Sequence, residues 1–509
     1  VIKMLEMNVE IGKYTLESLT TGMYSDPKIV YREYIQNSVD SLEEAVTTGL
    51  IEEQGMRIDI IVDVENSKIL VRDNGMGITS DKAPSTLLNI GNSHKRQSNN
   101  RGFRGIGRLG GMSYCNTLVF STSACGENKK TIISFDCKRL RELLVPGEYE
   151  QYNLNTVLEE ITSISVEDEK ENNHYFTVEL FEVSDFSDLL DLEKVKEYVC
   201  QVAPVPYSTR GFIYSTEIKK HMTENGYRIE EFPILVGYDF DTLELVNKPN
   251  KHRFHADRSK RKEDEIERIN YFDVVIDGET YALGWYADCN WYGSLSESNI
   301  SGIRVRKGNI LIGDSKTLNT IFRESRFNGW VQGELFITTD KLIPNARRDD
   351  FEQNEAYFKL IAYLQEGIGT EISRLIREAS GKRNDVSSKV IREVEKTVTE
   401  AKRDLEEGFN SSIDKEKLVE SLVESAQKLE GIKIREDLQE KKDELSKIIA
   451  DTAEQVSTSN NYKINKISSG IDRKSKKMLA IISDILSEKL SKFLVDEIID
   501  EIVEALNRK

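Results

Sequence analysis

The chain reads as an α+β protein that continues into a helical region, and three observations predict this. Residues 1–184 mix helical and strand patterns without the regular strand–helix–strand repeat of a parallel sheet. Residues 185–378 renew that mixture with longer strands. From residue 379 glycine and proline nearly vanish and apolar residues recur at helical spacing. The predicted architecture is an α/β sandwich over 1–184, a second α+β domain over 185–378, and helices over 379–509, in a chain of 509 residues. That length exceeds one hydrophobic core and fits about three domains.

In the first region "RIDIIVDVENSKILVRD" puts Ile58, Ile60, Val62 and Val64 on one face, turns at Glu65 to Lys68 and resumes with Ile69 and Val71, a hairpin pattern. "NTLVFSTSA", "TIISFDC" and "HYFTVELFEV" are further strands, with helices before and between them. In the second region "FPILVGYDF", "YFDVVIDGETYALGWYADC", "GIRVRKGNILIG" and "GWVQGELFITTD" read as strands, and the charged "HRFHADRSKRKEDEIER" as a solvated loop. Val390, Val394, Val398, Ala401, Leu405 and Phe409 form one helical stripe; Ile482, Ile485, Leu486, Leu490, Phe493, Leu494, Ile498 and Ile502 form another. Such stripes need a partner, within the chain or in a second copy, and periodicity alone does not choose between a bundle and a coiled coil.

Composition narrows the function. A net charge of -18 and a pI near 5.1 argue against broad, non-specific DNA binding, which depends on Lys and Arg neutralising phosphates. Absence of a secretory-type start and of any long apolar run predicts a cytoplasmic protein without a membrane span. Five scattered cysteines with no C-x-x-C pair indicate neither a disulfide framework nor a zinc site. His252 and His255 lack partners at metal-ligand spacing.

"YREYIQNSVDSLEEA" raises a chemical question. Glu33, Asn37 and Asp40 follow i, i+4, i+7 spacing and share one helical face inside an otherwise apolar stripe. A solvated polar face is the ordinary explanation. Directly after the hairpin comes "RDNGMGIT", where Asp73 ends a strand and Gly75 and Gly77 let backbone approach a planar ligand closely. An Asn-Gly turn is the plain alternative. Farther on, "GFRGIGRLGG" carries glycines at 102, 105, 107, 110 and 111 that can turn backbone N–H groups toward an anion. Its G-x-G-x-x-G does not follow the first strand of a βαβ unit, and no G-K-S or G-K-T follows, so neither dinucleotide fingerprint nor Walker loop fits.

"YSDPKIVYREYIQNSVDSLEEA", "VRDNGMGI", "IGNSHK" and "GFRGIGRLGG" resemble, in order, the four nucleotide-binding motifs of the GHKL superfamily: gyrase B, the heat shock protein 90 chaperones, histidine kinases and MutL. The first block looks most like the chaperones, whereas "GFRG" looks more like MutL. The resemblance implies a Bergerat-type sandwich that binds ATP with Mg²⁺ and hydrolyses it. It implies Glu33 as general base, Asn37 as the Mg²⁺ ligand and Asp73 as acceptor for the adenine amino group. Gly75 and Gly77 would pass under the adenine, with Asp40 in support. Ser93, Lys95 and Gly102, Arg104, Gly105, Ile106 and Gly107 would form a lid over the triphosphate.

The second region resembles, more loosely, the middle or transducer domain of the chaperones, MutL and type II topoisomerases. "TTDKLIPNARRDDFE" is similar to the chaperone loop carrying a basic residue to the γ-phosphate, which favours Arg348 over its neighbour Arg347. A surface pair with Asp349 and Asp350 is the alternative. The implied function is a chaperone-like ATP-driven clamp that dimerises and acts on a macromolecular client or partner. The alternative is the ATPase subunit of a DNA-processing or antiviral-defence assembly similar to MutL, MORC or topoisomerase subunits, reaching DNA through a partner or "KHRFHADRSKRK".

Overall fold

The hairpin expected from the sequence is present: β1 (Ile58–Asp63) and β2 (Lys68–Asp73) pair antiparallel, Ile60 opposite Val71. Val64 falls beyond β1 and is exposed, because the strand ends at Asp63. The computed structural model describes residues 12–19, 26–89, 107–184, 188–256, 262–384, 386–409, 412–432, 438–461, 473–487, 490 and 492–507. The hairpin joins β3 (Thr117–Ser123), β4 (Lys129–Asp136), β5 (Thr162–Asp168), β6 (Tyr175–Phe181), β7 (Ile234–Gly237) and β8 (Glu244–Leu245). Together they form an eight-stranded sheet ordered β5-β4-β3-β6-β2-β1-β7-β8. "FPILVGYDF", read with the second region, supplies β7, which runs parallel to β1 with Ile58 beside Ile234.

The helices of this layer are α1 (Tyr14–Leu19), α2 (Ile29–Thr47), α3 (Ala83–Leu88), α4 (Cys137–Leu143), α5 (Leu154–Ile161) and α6 (Leu192–Val202); α7 (Ser215–Glu224) follows and packs instead against Tyr271. Asp136, Asn153 and Asp191 cap α4, α5 and α6, each side chain accepting a backbone N–H from the first turn. The apolar stripe of α2, including Tyr31, Ile35, Val39 and Leu42, packs with Ile60, Val71, Phe120 and Leu180 of the sheet and Val195 of α6 in one core. Tyr31 also donates from its hydroxyl to the Leu189 carbonyl, at 2.6 Å. With the apolar stripe committed to the core, it is the polar stripe of α2 that can meet a ligand.

A second sheet contains β9 (Arg253–His255), β10 (Glu263–Ile276), β11 (Glu279–Cys289), β12 (Gly302–Lys307), β13 (Ile310–Ile312) and β14 (Gln332–Ile337), ordered β13-β12-β14-β11-β10-β9. The β10–β11 turn holds Asp277 at φ 53° and Gly278 at φ 79°, the paired positive φ that a tight Asp-Gly hairpin requires. Contrary to the solvated loop expected there, the described residues on either side of 257–261 form strands: Glu263, Asp264 and Glu265 pair with His255, Phe254 and Arg253. Alternation explains it, since Phe254, Asp264 and Ile266 are buried while Glu263 and Glu265 face outward. Residues 257–261 lie outside the described segments.

The two sheets are tied by a buried charged cluster. Lys248 Nζ contacts both carboxylate oxygens of Glu334 at 3.0 and 3.1 Å, and Arg306 Nε and the Tyr207 hydroxyl donate to the same carboxylate. Arg306 also donates to the Gln201 carbonyl of α6 at 3.1 Å. Burial opposes the Glu334 charge, but Arg306 and Lys248 bring its carboxyl down to about 2. α8 (Glu355–Leu364), N-capped by Asn354, and α9 (Thr370–Asn384) follow β14.

The chain divides into two compact units, Val1–Ile376 and Arg377–Lys509. In the second, α10 (Val386–Glu407), α11 (Ser412–Gly431) and α12 (Gln439–Thr458) share a core that includes Val394, Val398, Ala401, Leu422, Leu429 and Ile449. The first helical stripe thus finds its partner within the chain. α13 (Arg473–Ser487) and α14 (Lys492–Asn507) enclose Leu479, Val495, Ile499 and Val503, while Ile485, Leu490 and Leu494 of the expected tail stripe face outward. The side chain of Phe493 is not among those described.

Glu334→Ala would leave Lys248 and Arg306 buried without their counter-charge, and is expected to cost about 3–5 kcal/mol of stability in urea denaturation. A loss below about 1 kcal/mol would show that the cluster is not held by charge.

Candidate functional site

α2 brings the predicted polar residues to one surface and buries most of them. Glu33 and Asp40 are almost completely buried, whereas Asn37 is half-buried. Asp40 is partnered. The Glu33 carboxylate has a specific setting. Its Oε1 lies 3.7 Å from Arg32 Nη2 and 3.7 Å from Arg348 Nε. Its Oε2 faces Gly107, where an added Cβ would come within 2.0 Å. The residue at 107 must therefore lack a side chain for Glu33 to stay where it is.

Arg348 reaches Glu33 from the loop after β14. It is buried and has φ 56°, a left-handed backbone that non-glycine residues adopt at a cost. Three backbone bonds hold that loop: Asn345 N to Asp350 O at 2.9 Å, Arg348 N to Asn345 O at 3.1 Å, and Gly313 N to Arg348 O at 2.9 Å. Arg32 Nη2 donates to the Arg347 carbonyl at 2.7 Å, so α2 grips the loop by its backbone. Arg347 itself is exposed. Asp349 accepts from Asn345 Nδ2, and Asp350 from the Tyr357 hydroxyl.

At the other end of α2, Asp73 terminates β2 and is 1% exposed. Its Oδ1 accepts from Gly75 N at 3.0 Å. Burial pushes the Asp73 carboxyl up to about 7, against hydrogen bonds from Gly75, Ser38 and Ser41 that favour its ionised form. Gly75 touches α2 so closely that an added Cβ would lie 2.2 Å from Ser41 Oγ. Gly77 has φ 65°, and its added Cβ would lie 1.8 Å from the Ser123 carbonyl. Both glycines are thus required by close approach. His174 Nδ1 is 2.8 Å from the Gly75 carbonyl, and Thr122 Oγ1 accepts from Ile78 N at 2.8 Å, fixing the turn from both sides.

Of the expected lid residues, Ser93, Lys95, Gly102, Arg104, Gly105 and Ile106 lie outside the described residues; Gly107 opens the 3₁₀ turn Gly107–Ser113. Arg108 donates to the Leu87 carbonyl at 3.1 Å and the Asn89 carbonyl at 2.7 Å, clasping the end of α3 to the start of that turn. Gly111 N donates to the Tyr34 hydroxyl at 3.2 Å, which anchors the turn on α2. The structure therefore sets Gly107 and the expected Arg348 against Glu33, and Asp73 and Gly75 against Ser38 and Ser41, on the helix that carries Asn37 and Asp40; Gly77 packs against Ser123 instead. Sequence reasoning missed Arg32, Gln36, Ser38, Ser41, Thr122 and His174. The first four lie within "YREYIQNSVDS", where helical spacing from Glu33 and Asn37 was the available signal.

Among the described residues, no group of three or more His, Cys, Asp or Glu side chains could hold a metal. One amide oxygen at Asn37 nonetheless fits Mg²⁺, which keeps several waters and takes most of its other ligands from phosphates. No helix among the described residues is long and apolar enough to cross a membrane.

A buried acidic acceptor beside two obligatory glycines, a carboxylate facing a glycine-rich segment, and an arginine delivered from a second sheet define a nucleotide-binding ATPase domain of the GHKL type. Residues 24–170 match the family described as histidine kinase-, DNA gyrase B- and HSP90-like ATPase. Chaperone protein HtpG of Rickettsia typhi is 22% identical over 311 residues, covering 53% of this chain and 48% of that protein. HtpG of Azorhizobium caulinodans is 33% identical over 84 residues, 15% of this chain and 13% of that protein. HtpG of Rhizobium meliloti is 25% identical over 107 residues, 18% and 17% of the two chains. The first of these alignments spans about half the length of the curated relative it matches.

The raised Asp73 value has a consequence for stability. The unfolded carboxyl releases its proton near 3.8 and the folded one near 7, so this group lowers stability progressively between those values and by a constant amount above them. Asp73→Asn is expected to raise the unfolding temperature, and more at pH 8 than at pH 5. An equal or smaller gain at pH 8 would contradict burial as the cause.

Proposed function

We propose that the chain is a chaperone-type ATPase that works as a conformational clamp: ATP closes a lid over α2 and couples its own hydrolysis to docking of the second sheet and to pairing of two copies. The observation that carries this reading is the placement of Arg348, from the second sheet, against Glu33, beside Gly107. A hydrolytic centre divided between two sheets is complete only when both are in register, which links turnover to conformation.

In this reading Glu33 takes the proton of the attacking water, and Arg348 stabilises charge developing on the γ-phosphate. Asp73 accepts the adenine amino group, with Gly75 and Gly77 beneath the ring and Asp40 supporting the phosphate end. Ser93, Lys95, Gly102, Arg104, Gly105 and Ile106, with Gly107, make the lid. Asn37 offers its amide oxygen to Mg²⁺, which when bound offsets phosphate charge. The likeness to proteins named chaperone protein HtpG supports a macromolecular client. Charge disfavours direct DNA binding: in the basic stretch after Pro249, Lys251 pairs with Glu297 at 2.5 Å and Arg253 with Glu265 at 3.2 Å.

Asp73→Asn is expected to abolish ATP binding measured by calorimetry, whereas Glu33→Ala retains binding and loses turnover; ATP bound normally by Asp73→Asn would sink the adenine assignment. Light scattering of the Glu33→Ala protein should show a doubled mass or a clear compaction when Mg-ATP is added. Unchanged mass and size despite tight binding would rule out the clamp.

A further inference from the structure

Gln36 lies on α2 one turn from Arg32 and Glu33 and is 1% exposed. Neither its Nε2 nor its Oε1 has a hydrogen-bond partner among the described residues. Two other orphaned atoms flank it, Arg32 Nε and Glu33 Oε1, so that of the ten such buried side-chain atoms among the described residues, four fall on these three side chains. An amide buried without partners costs free energy that a methionine of similar volume would not. The cluster therefore marks a place where polar atoms exchange partners, rather than a finished piece of packing.

The chemistry of the three side chains is complementary. Arg32 can only donate, ionised Glu33 can only accept, and Gln36 can do both. Both guanidiniums stand 3.7 Å from Glu33 Oε1, beyond hydrogen-bond length. Residues three apart on a helix have Cβ atoms about 5–6 Å from each other, within reach of a Gln–Glu bond. The same Oε1 is thus orphaned one helical turn from an orphaned amide donor, while Oε2 faces the glycine-rich segment at Gly107.

We propose that Gln36 is the positioning residue of the Glu33 general base: in the nucleotide-bound protein its Nε2–H donates to Glu33 Oε1, fixing the carboxylate with Oε2 toward the attacking water. The inference rests on Glu33 acting as the base. In the step it serves, water oxygen bonds to the γ-phosphorus, the bond from that phosphorus to the β–γ bridging oxygen breaks, and ADP leaves with the electron pair. Glu33 Oε2 takes one water proton. A neutral amide suits this task better than a guanidinium, because an arginine ion pair makes any carboxylate a weaker base, and an amide does so far less. Arg32 is meanwhile committed through Nη2 to the Arg347 carbonyl.

The test uses Gln36→Met, which keeps the volume and removes both polar atoms, in the full chain with Mg-ATP. ATP affinity is expected to stay within about twofold and the unfolding temperature to hold or rise, while kcat falls about tenfold or more. In a Glu33→Ala background, Gln36→Met should lower the residual rate no further, since a residue acting through Glu33 has nothing left to position. Gln36→Glu, which lacks the donor when ionised, should be as slow as Gln36→Met. An unchanged kcat in Gln36→Met, or an equal further loss in the Glu33→Ala background, overturns the proposal. If Glu33→Ala itself turns over normally, the base assignment fails and Gln36 with it; if Glu33→Ala is inactive and Gln36→Met fully active, Gln36 alone is wrong.

Discussion

One buried carboxylate organises the contact between α2 and the second sheet. Glu33 is shut away from water between two guanidiniums and a glycine. A charge so placed must be compensated, and both compensating groups have constraints of their own. Arg32 is on the same helix and also holds the Arg347 carbonyl. Arg348 reaches Glu33 only from a left-handed backbone that its loop must enforce. The position of the second sheet's loop is consequently specified by the electrostatics of α2. α2, in turn, is fixed by Tyr31 to the Leu189 carbonyl and by Tyr34 beneath Gly111.

The surroundings of Asp73 follow a different logic. The Asp73 carboxylate is met chiefly by N–H and O–H donors beside tightly fitted glycines, with a weaker attraction from Arg72. Burial there works against the charged form, so the folded protein carries a local instability that a ligand's hydrogen-bond donor would relieve. Glu33 and Asp73 therefore differ in kind: compensated charge at one, an undercompensated carboxyl at the other. Both depend on the same face of α2, which explains why that helix carries so many polar residues without losing its apolar stripe.

How much of this was readable from residues alone depended on the range of the interaction. Local patterns were transparent: the β1–β2 hairpin and the Glu33–Asn37–Asp40 face each rest on neighbours in sequence. Long-range pairing was not. Nothing local in "FPILVGYDF" says that it lies beside β1, and the charges around Phe254 and Ile266 conceal a strand whose inward residues are nevertheless buried. Likewise, "ARRDD" offers two arginines, and only the backbone of the loop separates them, exposing Arg347 while directing Arg348 to Glu33. Gln36 was overlooked because its significance lies in partners it lacks, and pattern reading does not register a lack.

Two of the second sheet's attachments to the layer of the first sheet differ in what can release them. At Glu334 three polar groups converge on one carboxylate in full burial, and Arg306 continues to the backbone of α6; parting them would leave several charges unsolvated. At Glu33 the contacts are ion pairs at 3.7 Å with orphaned atoms nearby, so partners can be exchanged without exposing new charge. The first attachment has the physical character of a fixed joint and the second that of a catch. α6 packs in the same core as α2, so a change at the catch acts across a short lever anchored at the joint. Any nucleotide-dependent motion of the second sheet should therefore be a rotation about the Glu334 cluster, largest at the loop that carries Arg348.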